Sequence, residues 1–173
     1  MLLALAIWLQ NTPLFEFLRE SEHGYEILLS LHVASIAVFA ATVVISDLRL
    51  LGWALRDCAI SSIVNQLRAL KRVGFISVVT FGFLLFGMKA EEYYYNDFFR
   101  FKVLLLVLVA VHALIFRHGV YRKPVALDQS NQAPAWAKLA AGTSLALWLC
   151  LVCAGRGIGY LHAPPFSHHF AML

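Results

Sequence analysis

Four long stretches of this 173-residue chain are almost free of charge, and charged or aromatic residues mark their ends. The first, residues 25–52, has no charged residue between Glu26 and Asp47. As a helix, that uncharged run is about 30 Å long, the thickness of a bilayer's hydrocarbon core. The second, residues 73–88, holds Gly74, Gly82 and Gly87, small enough for a neighbouring helix or a flat ligand to approach the backbone. Arg72 and Lys89 at its ends can snorkel to the head groups. The third, residues 103–116, is short enough to suit a buried soluble helix, but Lys102, Arg117 and the company of stronger spans place it in the membrane. The fourth, residues 139–155, ends at Arg156 and continues through GIGYL. The pattern predicts spans over residues 25–52, 72–90, 99–119 and 136–161, an all-α integral membrane four-helix bundle.

Residues 1–9 are apolar but too short to cross a bilayer, and they lack the basic start and small-residue cleavage pattern of a removable signal. Thr12-Pro13 reads as a helix cap followed by proline at the first helical position, opening PLFEFLRES with Leu14, Phe15 and Leu18 on one side. Residues 1–22 are therefore expected to be interfacial helices leading into the first span. Ile63, Val64, Leu67 and Leu70 predict a further interfacial helix before the second span, and the tyrosines and phenylalanines of KAEEYYYNDFFRFK suit the aromatic belt.

Composition supports this frame: 61% hydrophobic residues, 14% charged and a mean hydropathy of +0.73 exclude an ordinary soluble globule, and the length suits a single membrane domain over residues 1–173. The net charge of +4 does not indicate nucleic acid, because the basic residues flank apolar runs. Nine Lys or Arg fall in the loops between spans one and two and between three and four, against five on the other side, which takes seven of the ten acids. By the positive-inside rule both termini lie outside, in a bacterial inner membrane.

The candidate chemistry starts with His32 in the first span and His112 in the third, since an intramembrane imidazole is costly without a partner or ligand. Two imidazoles from separate helices of a bundle can give the two axial ligands of a b-type haem, with Arg156 pairing a propionate. Gly82, Ala34, Ala110 and Ala113 would leave room for a porphyrin. Measured along their runs, His32 lies roughly 7 Å toward the outside and His112 roughly 4 Å toward the inside. Sharing one iron requires longer or tilted helices. Alternatively, each histidine bonds to a backbone carbonyl or hydroxyl of the next helix.

Asp47-x-Arg49 is either half of a proton or ion path or an interfacial ion pair. Cys150 and Cys153 share a helix face, as soft Cu(I) ligands or as small packing residues. His23, His162, His168 and His169 form an outer set able to meet a metal, and His118 sits beside Arg117. Tyr93, Tyr94 and Tyr95 offer a docking surface. No hydrolase constellation or phosphate-binding glycine loop is present, and whether the protein is an enzyme stays open.

The segments LHVASIAVFAATVVISDLRLLG, AEEYYYNDFFRFKVLLLVL and AGRGIGY, with the lead-in WLQNTPLFEFLRES, resemble a bacterial family of small integral membrane proteins known only as a domain of unknown function. That resemblance implies a lead-in helix, four spans and no established activity. More distantly, the placement of the histidines is similar to the copper-resistance D family and to four-helix b-type cytochromes. Three functions follow as expectations. One is electron transfer through haem b held by His32, His112 and Arg156, with a quinone or an outer-face redox partner. The second is copper handling by the outer histidines, Cys150 and Cys153. The third is a cofactor-free subunit of a larger membrane complex.

Overall fold

The computed structural model describes residues 1–116 and 133–160, which form seven helices and, among the described residues, no strand. Four are long and apolar enough to cross a membrane: α3 (Gly24–Leu51), α4 (Ile60–Met88), α6 (Asp97–Phe116) and α7 (Ala135–Tyr160). The chain is thus a multi-pass membrane protein, an all-α bundle. Three short helices, α1 (Leu2–Gln10), α2 (Pro13–Glu20) and α5 (Ala90–Tyr95), gather at one end, called here the α5 end.

Local chemistry explains the boundaries. Pro13 opens α2 where its missing N–H costs nothing, while the Thr12 hydroxyl turns back to donate to the Leu9 carbonyl at 2.9 Å and closes α1. Gly52 ends α3 in the left-handed region at φ 74°, so that its own N–H reaches Arg49 O and the Trp53 N–H reaches Leu48 O. The expected interfacial helix and second span are one continuous helix, α4, because residues 60–88 contain no proline and no break in helical spacing. The KAEEYYYNDFFRFK stretch after it includes α5.

The spans pack antiparallel in the order α4, α3, α7, α6. Their apolar surfaces face lipid, which is as oily as the side chains, so close packing rather than hydrophobic burial holds them together. Close approach at glycines supplies much of that packing. A Cβ on Gly74 would stand 3.1 Å from the Phe39 Cβ, one on Gly82 2.9 Å from the His32 Cε1, and one on Gly157 2.6 Å from the Phe98 Cδ1. The ring of Phe15, on α2, occupies the same place over Gly87 and meets Phe83 edge-on at 5.9 Å. The lead-in segment is thereby pinned to α4, and α1 to α5, where the Gln10 side-chain oxygen accepts the Glu91 N–H at 3.0 Å.

Candidate functional site

His32, Phe39 and Ser46 recur every seven residues on α3, which puts them on one seam facing α4. Opposite them stand Gly82, Gly74 and Lys71. At the α5 end of this seam the Cε1 edge of His32 rests on Gly82, leaving the two ring nitrogens to either side. The Val78 carbonyl faces the ring, but Nδ1 is buried and has no hydrogen-bond partner among the described residues. Lys102 of α6 is the charge that reaches this imidazole.

His112 has a different neighbour. Its Nε2 donates to the Ala140 carbonyl of α7 at 3.0 Å, and its ring lies 4.8 Å from that of Phe116. The structure therefore does not bring His32 and His112 together, since one belongs to the α3–α4 seam and the other to α6–α7. Arg156 is exposed on α7, one residue from the Gly157 that receives Phe98.

The loop end of the seam holds a site of which the sequence pointed only to Asp47, as half of a proton or ion path or of an interfacial ion pair. Asp47 is only 1% exposed, beside Ser46 at 2% and Thr42 at 1%. Ser144 of α7 donates its hydroxyl to the Asp47 carboxylate, and Lys71 of α4 is the neighbouring cation. The Lys71 ammonium donates to Ser46 Oγ at 3.2 Å, and Ser46 in turn donates to the Thr42 carbonyl at 2.7 Å. Yet Asp47 Oδ2 is buried with no hydrogen-bond partner among the described residues. The Asp47-x-Arg49 pair expected from sequence is not the arrangement found: two residues apart on a helix point to opposite sides, and Arg49 turns out to donate to the Cys58 carbonyl at 2.7 Å. The signal that would have found Lys71 is its spacing from Gly82, eleven residues or three turns on the same face of α4.

Between the two polar stations lies an aromatic layer in which Phe39 meets Phe75 at 5.7 Å and Trp148 at 5.3 Å. Outside the seam, Tyr93 stacks on Phe86 and Phe99 and meets the Tyr25 hydroxyl at 3.4 Å. Burial, followed by that hydrogen bond, raises the Tyr93 phenol above the usual tyrosine range.

Cys58, Cys150 and Cys153 are exposed thiols, and no group of three metal-ligating side chains occurs among the described residues. His118, His162, His168 and His169 lie outside the described residues.

A family model, described as a family of unknown function (DUF6644), matches residues 23–161. The chain belongs to DUF6644. The match takes in all four spans and both stations of the seam, and it begins after α2. No curated protein and no solved structure matches the chain.

Proposed function

We propose that the protein carries protons through the bilayer, with Asp47 as the group that takes them up and releases them. The observation that carries this reading is the orphaned Oδ2 of a carboxylate buried among three membrane helices. A dry, unpaired carboxylate oxygen costs more than about 1–3 kcal/mol, so a residue serving only as an interhelical clasp would gain by satisfying it. A proton on that oxygen removes the charge, and Lys71 stabilises the ionised form when the proton leaves. Asp47 is thus poised between two states, which is why intramembrane acids so often mark proton routes.

The route runs along α3. His32 is the titratable group that α3 carries at the far end of the seam, 15 residues and about 22 Å from Asp47. The Phe39 layer separates the two, so transfer requires that layer to open. Under the positive-inside orientation Asp47 faces the cytoplasmic side and His32 the outer side. The test is proton flux into liposomes containing the purified protein and an internal pH dye, driven by a potassium diffusion potential. Asp47→Asn should abolish flux while the protein stays helical and inserted. Wild-type flux no faster than that of empty liposomes, or equal flux from Asp47→Asn, rejects the reading.

A second reading draws on the free Nδ1 of His32: electron transfer through a b-type haem, as expected from the histidine placement. It requires His112 to leave the Ala140 carbonyl and Arg156 to turn toward a propionate. A visible spectrum of the purified protein decides it, since a colourless preparation excludes haem.

A further inference from the structure

We propose that Ser46 is a positioning residue for Asp47: its hydroxyl holds the Lys71 ammonium beside the carboxylate while keeping its own proton from it, and so sets the pH at which Asp47 is protonated. The consequence for flux rests on the proton-carrying reading; the positioning itself does not.

The Ser46 hydroxyl is fully committed. Its hydrogen goes to the Thr42 carbonyl at 2.7 Å, and its oxygen accepts from the Lys71 ammonium at 3.2 Å. A serine hydroxyl has one hydrogen to give. Ser46 therefore has none for the next residue in the chain, and Asp47 Oδ2 stays buried with no hydrogen-bond partner among the described residues. One side chain thus supplies the neighbouring cation and leaves open the oxygen that a proton would take.

The same contact fixes where the cation of α4 sits. Adjacent Cα atoms are about 3.8 Å apart, so an ammonium at hydrogen-bond distance from Ser46 Oγ stands level with Asp47. Helical side chains lean toward the N-terminus of their helix, which for Lys71 is the loop end at Ile60. Without the Ser46 oxygen, a long lysine is free to follow that direction toward water. Both Ser46 and Asp47 are buried, and there a charge that moves is felt strongly.

The other charged groups at this end are turned elsewhere. Arg49 donates to the Cys58 carbonyl and Arg68 to the Asn65 side chain, each at 2.7 Å, and Arg72, Asp57 and Cys58 are exposed. From α7, Asp47 meets the Ser144 hydroxyl; Lys138, the nearest charge along that helix, lies six residues or about 9 Å nearer the loop end. α2, the remaining element against α3, is at the α5 end. Lys71 is therefore the cation whose placement matters. A cation beside a carboxylate favours the ionised form, so letting Lys71 drift away should make Asp47 hold its proton to higher pH.

The test is infrared difference spectroscopy of the full-length protein in liposomes during a pH titration. The C=O band of the protonated carboxyl, identified by its loss in Asp47→Asn, reports Asp47 whether or not protons cross the membrane. Ser46→Ala should raise the midpoint of that band by about one pH unit, a tenfold tighter hold on the proton. Ser46→Thr, which keeps the hydroxyl, should restore the wild-type midpoint. In Lys71→Met, Ser46→Ala should add no further shift, because its effect passes through the lysine. A role confined to packing would leave the midpoint in place. An unmoved midpoint in Ser46→Ala, an equal shift with and without Lys71, or a wild-type spectrum with no titrating Asp47 band overturns the proposal. Liposome flux separates the two readings: a shifted midpoint without wild-type flux keeps the positioning role and removes proton transport, and flux with an unmoved midpoint does the reverse.

Discussion

The seat of Phe39 on Gly74 makes a quantitative prediction about how α3 and α4 are held. An alanine Cβ at position 74 would lie 3.1 Å from the Phe39 Cβ and 3.2 Å from its Cα, against 3.4 Å where ordinary contact begins, a shortfall of 0.3 and 0.2 Å. Neither atom can swing aside, because both belong to the backbone or its first branch. The helices themselves must part, and Phe39 is also wedged against Phe75 and Trp148. Overpacking of this kind costs about 1–3 kcal/mol. Replacing a helical glycine by alanine returns roughly 1 kcal/mol. Gly74→Ala should therefore be neutral to about 2 kcal/mol destabilising. At Gly142, also on a spanning helix, an added Cβ meets nothing within 4 Å, so only the propensity gain of about 1 kcal/mol remains. At Gly82 the obstacle is the far edge of the His32 ring, which can rotate, so alanine there should disturb the imidazole more than the helix spacing. Far-UV circular dichroism during titration of detergent-solubilised protein with sodium dodecyl sulfate gives the three stabilities on one scale. Gly74→Ala as stable as Gly142→Ala would refute a backbone-to-backbone seam at this position.

Other perturbations separate the remaining contacts. Lys71→Ala removes the cation beside Asp47 and should cost about 1–3 kcal/mol, because the buried carboxylate can take a proton instead of holding an uncompensated charge. Asp47→Asn with Lys71→Met should cost less than the sum of the two single changes; additive costs would show that the two side chains do not interact. His112→Leu removes one interhelical hydrogen bond and should lower stability by about 0.5–1.5 kcal/mol; no loss would mean that the bond to Ala140 contributes nothing. Tyr93, whose phenol is raised by burial and then by Tyr25, should ionise last in an absorbance titration, and Tyr93→Phe should remove that late component. The folded state keeps this proton while the unfolded chain loses it, so the contribution is complete below about pH 10 and stability falls as pH rises beyond that. A Tyr93→Phe protein with the same alkaline loss of stability would contradict the assignment.

What the sequence could and could not reveal follows from which quantities it encodes. The four spans were legible because length and absence of charge suffice to define a membrane helix. Gly74, Gly82 and Gly87 were legible as places of close approach, but not what would approach. A flat ligand was one option, and the Phe39 backbone and the rings of His32 and Phe15 are what lie there. The rotation of each helix about its own axis was not legible. A soluble helix announces its inward face by polarity, whereas spans apolar on every side do not, so nothing in the chain said whether His112 looked toward His32 or toward α7. Its acceptor, a backbone carbonyl, has no sequence signature at all.

Asp47 is the opposite case, because the pairing with Arg49 could have been ruled out from the sequence. Residues 47 and 49 differ by 200° around a helix, so an inward Asp47 obliges Arg49 to face away. The partner had to come from another helix, and one interhelical contact is enough to find it. With His32 set on Gly82, fourteen residues along α3 lead to Ser46 and eleven back along α4 lead to Lys71, with a long side chain covering the difference. The register between two antiparallel helices is a single number. Once it is known, the aromatic layer at Phe39 and the carboxylate beyond it follow by counting turns, so a seam with a titratable group on either side of an apolar barrier is a consequence of that register and of the seven-residue spacing on α3.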